Sequence, residues 1–385
     1  MRSPGEELAD LAGKGLKRSL RHLDSPQGRS VVLHGGAPLL NFSSNDYLGL
    51  ANDEELKASY AANIQRHGVG SGASRLVCGT LDPHLKLEES LAALKNTEAA
   101  LTFSTGFATA TGVISGLCRK GDIVIADKLS HASLIDGARL SEATLRVFAH
   151  NDINQLEQRL RWARENADES ARILVITESI FSMDGDRAPL ADIIELKERY
   201  GALLLVDEAH AFGIIGPQGR GLGSETGLDH RIDLQMGTFS KAAGLSGGYV
   251  CASRSWIDLL INRARSFIYS TAPSPALAAT ITDALALIAG GRGDELRRAL
   301  WARLAQFSSE AQASAIVPLV IGENEAALAA SRRLQENGLL VPAIRYPTVP
   351  PGTARLRITF SAAHTEEDVM ALKGALGELN ENLPS

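Results

Sequence analysis

The apolar run ALLLV (202–206) ends abruptly in Asp207 and Glu208, with His210 three residues after the aspartate. Open parallel sheets bind ligands beyond the carboxyl ends of their strands, so an acidic strand end is a candidate site. Three chemistries suit these residues. As a nucleotide-driven Asp-Glu-Ala-His box, Asp207 and Glu208 would surround a magnesium ion. That chemistry needs a phosphate loop of the form G-x-x-x-x-G-K-[ST], and the chain contains none. Alternatively, Asp207 would contact a pyridinium nitrogen and His210 would sit beside the ring oxygen. In the third case Asp207 only caps a helix and His210 is structural. Taken alone, the segment leaves the second and third open.

Thirty-four residues on, GTFSKAAGLSGGYV (237–250) frames Lys241 with Thr238, Ser240 and small residues. An amine that must reach a bound aldehyde suits such a place, because partial burial or a neighbouring cation lowers its proton affinity. A solvated surface lysine is the ordinary alternative. The formal G-x-S-x-G at 244–248 is discounted as a hydrolase elbow, since a strand-like run follows it where a helix is needed. STGFATATGVISGL (104–117) reads as a strand end turning into a helix, with Gly106 where backbone comes close. The free N–H groups of such a helix start suit a phosphate. In DKLSHASLIDGARL (127–140), His131 follows a polar turn, where an imidazole can stack on a planar cofactor or simply face water. In TESIFSMDGD (177–186), Ser182 and Asp184 lie in a loop on the same expected ligand edge.

The elements that must position these groups are legible as alternation. IVIA (123–126), TLRVF (144–148), RILVIT (172–177), ALLLV (202–206) and GYVCA (248–252) read as strands. Between them, 85–95 and 192–200 carry apolar residues at helical spacing. Apolar strands separated by helices predict a mostly parallel sheet covered on both faces, so the large domain is α/β. Before it, the first fifty residues form an N-terminal arm (1–50), beginning with a basic, helix-like stretch (Lys14, Lys17, Arg18, Arg21) and continuing through a hairpin-like VVLHGGAPLLNF. The large domain is expected over 51–284, and a smaller C-terminal α+β domain over 285–385. In the latter, LRITF alternates as a half-exposed strand, a helix covers 325–337, and EEDVMALKGALGEL forms the last helix.

Hydrophobic residues at 44% and charged residues at 22% exclude wholesale disorder, and a net charge of −6 argues against nucleic acid as the main partner. Cys78, Cys118 and Cys251 stand far apart with no Cys-x-x-Cys, so neither a disulfide framework nor a metal site is expected. The N-terminus has no long apolar core, and the most apolar stretch, 275–290, is interrupted by Asp283. A soluble, cytoplasmic protein with no membrane partner is expected.

In order, SNDYLGL, STGF, LSHASL, SMDGD, VDEAH, TFSK and YPTVPPGTARLRIT resemble the motifs of the α-oxoamine synthases, from about Gly15 to near the C-terminus. The resemblance implies a fold type I, pyridoxal-phosphate-dependent transferase whose large domain holds a mostly parallel seven-stranded sheet. It implies that Lys241 forms the Schiff base and carries the catalytic proton, that Asp207 faces the pyridinium nitrogen, that His210 faces the ring hydroxyl and that His131 stacks on the ring. Gly106, Phe107, Ser182 and Thr238 match further cofactor contacts. Family members are homodimers with shared active sites, so Ser270 and Thr271 of IYSTAPSP are expected at the neighbouring subunit's phosphate. Asn45, Thr348 and Arg357 fall where substrate is bound, Arg357 at the amino-acid carboxylate. An N-terminal arginine should also reach substrate; Arg18 is preferred to Arg21. Within the family, NFSSNDYLGL, LSHASLIDGARLS, VFAHND, FSMDGD, GPQGRG and AIRYPTVPPGTARLRIT lean toward members that condense L-alanine with a pimeloyl thioester, of coenzyme A or acyl carrier protein, for biotin synthesis. The alternatives are a relative using another acyl or amino-acid partner, such as glycine with acetyl-CoA, and a non-catalytic protein of the same fold.

Overall fold

The computed structural model describes residues 2–382. The chain divides into two compact units, one of Asn45–Ile316 with Phe360–His364, the other of Met1–Ser44, Val317–Thr359 and Thr365–Ser385.

The larger unit is built on a seven-stranded sheet in the order Ala99–Phe103, Gly248–Ala252, Leu234–Thr238, Leu203–Asp207, Ile173–Glu178, Ile123–Asp127 and Thr144–Phe148. Gly248–Ala252 runs antiparallel to both neighbours, and the other pairings are parallel. The interior strands are buried along essentially their whole length, as strands covered on both faces must be, and only the edge strand Thr144–Phe148 is partly open. Leu101, Phe103, Val113, Ile114, Val124, Ile176, Leu205 and Val250 belong to one continuous core. The five apolar runs of the sequence are all strands here. The two strands they omit, AALTF and LQMGT, contain polar residues whose partners come from afar. Thr102 is satisfied by Glu88, and the Gln235 side chain donates to the carbonyl of Asp229 at 3.2 Å. The break expected at 284 falls inside the helix Pro275–Ala289, which goes with this unit, as does Gly291–Phe307.

In the smaller unit the helix of the arm is Pro4–Gly13, closed at its start by a reciprocal Ser3–Glu6 capping box. It stops before most of the basic residues that suggested it: Lys14 is the C-cap, Gly15 has φ +64°, and Lys17, Arg18 and Arg21 lie in irregular chain. Gly15, in the left-handed region, ends the helix there, although Leu16 and Leu20 beyond it keep helical spacing. Ser30–Val32 pairs antiparallel with Pro38–Asn41 as the hairpin pattern requires, and Leu339–Leu340 adds in parallel. A second small sheet orders Ile316–Gly322, Ala354–Thr359 and Ala343–Ile344. Its central strand Ala354–Thr359 is buried at every position rather than on alternate ones. The polar positions are satisfied in place, with the Arg357 guanidinium donating to the hydroxyl of Thr359 two residues on at 2.9 Å.

Candidate active site

A cavity of about 250 Å³ opens at the carboxyl ends of the parallel strands, and residues from five separate segments line it. Helix Gly106–Leu117 supplies one wall, with Thr105, Gly106 and Phe107. Thr105 caps that helix by accepting the N–H of Ala108 at 3.0 Å, and the first N–H groups of a helix have no partner within it. The close meeting of this helix start with the strand end depends on Gly248. A Cβ there would fall 2.4 Å from Thr109 Oγ1 and 2.8 Å from the backbone nitrogen of Gly106. Beside it, Ser240 Oγ lies 2.8 Å from Thr238 Oγ1, whose own hydroxyl donates to the carbonyl of Gly247 at 2.6 Å. The free N–H groups of such a helix start suit a phosphate.

Across the cavity, Asp207 is the last residue of its strand. Its Oδ1 accepts the N–H of Ala209 at 2.9 Å, so it also makes the local turn expected of a capping aspartate. Burial pushes its carboxyl up from the usual range, opposed by the Lys241 ammonium, the Ala209 N–H and His131. Lys241 Nζ lies 2.8 Å from His210 Nε2, and His210 Nδ1 bonds to the hydroxyl of the fully buried Tyr47. Tyr47 in turn donates to Asn45 Oδ1 at 3.3 Å. With a charged Lys241 as donor, the chain runs one way: Lys241 to His210, His210 Nδ1–H to Tyr47, Tyr47 O–H to Asn45.

His131 is the N-cap of helix Ala132–Leu140; its Nδ1 accepts the N–H of Ser133 and lies 2.8 Å from Ser133 Oγ. Burial lowers its proton affinity, Asp207 raises it and Lys241 lowers it, for a net downward shift. A neutral imidazole results, with a flat face suited to stacking.

The cavity thus gathers Gly106, Phe107, His131, Asp207, His210, Thr238 and Lys241 of the residues expected from sequence. It also gathers Glu178, which the sequence reading passed over in favour of Ser182 four residues later. Ser182 lies in the turn that follows, outside the lining. Ser270 and Thr271 border a different, small recess with Arg75, Thr102 and Phe103. Their loop is pinned by Ser71 Oγ donating to Pro273 O at 2.6 Å and by Ala272 N–H donating to Ala73 O at 3.1 Å. Arg18, Thr348 and Arg357 belong to the smaller unit. There the Arg18 guanidinium reaches Thr348 Oγ1 at 3.4 Å, which ties two of the expected substrate residues together; Arg21 is exposed.

Glu208, the other acidic residue of the Asp-Glu-Ala-His string, turns away from the cavity. It is fully buried in an ion pair with Lys95 at 2.5 Å and accepts the N–H of Gly223 at 3.0 Å. Lys95 also donates to the carbonyl of Arg220. A magnesium pair of Asp207 and Glu208 is therefore excluded by geometry, as the missing phosphate loop implied. An anion cradle, a proton-carrying amine, a carboxylate opposite and a flat imidazole between them fit a phosphorylated pyridine aldehyde by the chemistry of the donor set.

The family model for class I and II aminotransferases matches residues 37–376. Among curated relatives, the 8-amino-7-oxononanoate synthase of Geobacter sulfurreducens is 45% identical over 99% of both chains. That of Herminiimonas arsenicoxydans is 47% identical over 96% of this chain and 97% of its own. Among solved structures, a serine palmitoyltransferase from S. paucimobilis, with pyridoxal phosphate and myriocin bound, superposes with a TM-score of 0.90 at 29% identity, covering 98% of this chain and 96% of that one. The 8-amino-7-oxononanoate synthase of Francisella tularensis superposes with a TM-score of 0.74 at 27% identity, covering 89% and 98%. Motif order, sheet topology and near full-length identity agree, and the chain belongs to the 8-amino-7-oxononanoate synthases, α-oxoamine synthases of fold type I within the class I and II aminotransferase family.

Proposed function

We propose that this chain condenses L-alanine with a pimeloyl thioester, of coenzyme A or acyl carrier protein, releasing CO2 and the free thiol to give 8-amino-7-oxononanoate for biotin synthesis. The observation that carries the reading is the convergence of Lys241, Asp207, His131 and His210 on one cavity beside a helix start.

Pyridoxal phosphate, when bound there, supplies an electron sink for bond breaking at the amino-acid Cα. The chain's residues do the rest. The N–H groups at Gly106 and Phe107, with Thr238, hold the phosphate. Asp207 would keep a proton on the ring nitrogen through opposite charge at close range. His131 would stack on the ring, and His210 would face the ring hydroxyl. Lys241 would hold the cofactor's aldehyde and would carry the amino-acid Cα proton on Nζ. Arg357 pairs with the amino-acid carboxylate, with Asn45, Thr348 and Arg18 as further substrate contacts, and Ser182 as a further cofactor contact.

The active form is a homodimer in which Ser270 and Thr271 complete the neighbouring phosphate site. Val69, Leu76, Val77, Leu81, Leu85, Phe107 and Tyr269 are large apolar side chains left exposed around these same segments, which supports a subunit face there. Sedimentation of an active monomer at assay concentration would remove this part of the reading. A cytoplasmic location accords with three unpaired cysteines. Among the described residues no helix is long and apolar enough to cross a membrane.

The higher TM-scores of the palmitoyltransferase structures favour a second reading, with serine and a longer acyl donor. The 42–47% identities to 8-amino-7-oxononanoate synthases, against 29–30% to those structures, favour the first. The test is release of labelled CO2 from carboxyl-labelled L-alanine. Release should require a pimeloyl thioester, and serine with palmitoyl-CoA should give little. Equal or greater release from the latter pair would overturn the assignment.

A further inference from the structure

Glu178 ends its strand as Asp207 ends the next one, and the two residues are register partners in the parallel pairing. Both face the cavity. Glu178 is 2% exposed and accepts the backbone N–H of His131 at 2.6 Å. Two carboxylates side by side in a dry wall cannot both ionise without a compensating cation for each.

The surrounding charges decide which one keeps its proton. Asp207 has Lys241 and the Ala209 N–H on its side. Asp127, on the strand flanking Glu178, has its own cation in His150, whose ring bonds Asp127 at 3.0 Å and Asp186 at 2.8 Å. Glu208 is matched by Lys95. Glu178 faces Asp207, Asp127, Lys241 and His131, and among these Lys241 is the one standing cation, bonded to His210 and shared electrostatically with Asp207.

We infer that Glu178 is a positioning residue of this site: its carboxyl group holds the proton that leaves Asp207 as the anion of the pair, and it anchors the backbone that presents His131. The inference rests on the cavity being the pyridoxal phosphate site. Burial, and then the charge of Asp207, push the Glu178 carboxyl up to about 8, against the pull of Lys241 and the His131 N–H. Below that pH Asp207 is the only anion of the two facing the ring. Above it a second charge enters the wall. The hydrogen bond to His131 ties the stacking residue to the same strand end, so one side chain sets both the field at the nitrogen and the seat of the imidazole.

The experiment follows the absorbance of the cofactor-bound enzyme across the neutral and alkaline range, in the natural protein and in Glu178→Gln. Glutamine keeps the acceptor for the His131 N–H and cannot ionise. The natural enzyme should show a spectral transition, displaced upward from the ordinary carboxylate range, that Glu178→Gln lacks. In parallel, hydrogen exchange at the His131 amide should match the natural protein in Glu178→Gln and accelerate at least tenfold in Glu178→Ala. Infrared spectroscopy of the natural chain should show a protonated carboxylic-acid band that bleaches through the same pH, with or without cofactor. A transition unchanged in Glu178→Gln, or no such band, would overturn the inference. Failure to bind pyridoxal phosphate at all would instead sink the functional reading, and the infrared band would still decide where the proton sits.

Discussion

Asp207 and Glu208 are adjacent in sequence and both buried, yet they belong to opposite kinds of environment. Glu208 is closed inside the protein: Lys95 neutralises it, Gly223 donates to it, and Gly221, at φ +111°, leaves room where a Cβ would fall 1.9 Å from its carboxylate oxygen. Asp207 opens on a cavity whose remaining titratable groups are a second carboxyl group, a lysine and two histidines. The first environment is balanced within the chain; the second keeps its charges available to something bound. Buried charge serves structure where its partner is fixed, and chemistry where the partner arrives with the ligand.

Breaking the balanced region should cost stability. Lys95→Met strands the Glu208 charge and should destabilise the fold by about 3–5 kcal/mol, read as a fall in denaturant midpoint. A fall below about 1 kcal/mol would mean that the pair is not closed to water.

Breaking the open region should cost turnover instead. Asp207→Asn removes the charge proposed to face the ring nitrogen and should slow turnover on the order of a few hundredfold, about 3–4 kcal/mol of barrier, while alanine binding changes far less. The denaturant midpoint should stay near that of the natural chain. Near-normal turnover would reduce Asp207 to the turn-forming role its bond to Ala209 already shows.

A smaller effect sharpens the boundary between the two. Gly248→Ala puts a methyl group against Thr109 and Gly106 and should destabilise by about 1–3 kcal/mol. Because it moves the helix start, cofactor affinity measured by equilibrium titration should fall as well. Stability loss without affinity loss would detach this helix from the phosphate.

The smallest effect concerns His150. Burial opposes its charge, but its bonds to Asp127 and Asp186 prevail and raise it to about 10. A raised folded value stabilises below the unfolded pKa of about 6.5 and is lost as pH rises through about 10. His150→Gln should therefore lower the melting temperature most just below pH 6.5 and progressively less toward pH 10. A constant difference across that window would show that His150 acts through packing alone.

The parallel sheet was legible because five of its strands are continuous apolar runs. AALTF and LQMGT were not, since Thr102 and Gln235 lower their apolar signal and find partners at Glu88 and Asp229 only in the fold. Likewise Asp207, His210, Lys241 and His131 sit in compact motifs. Tyr47 and Glu178 are invisible as chemistry in sequence, because their roles come from a bond across 163 residues and from the register of two strands. Placing the end of RILVIT one residue later, at Glu178, would have shown two acidic strand ends side by side. The basic stretch of the arm misled for a different reason: Gly13 and a left-handed Gly15 stop the helix before Lys17, Arg18 and Arg21.

The most direct test is borohydride reduction of the cofactor-loaded enzyme followed by peptide mapping. The account predicts one labelled peptide, TFSKAAG, with the pyridoxyl group on Lys241 and none in Lys241→Ala. A label on any other lysine, Lys95 included, would contradict it.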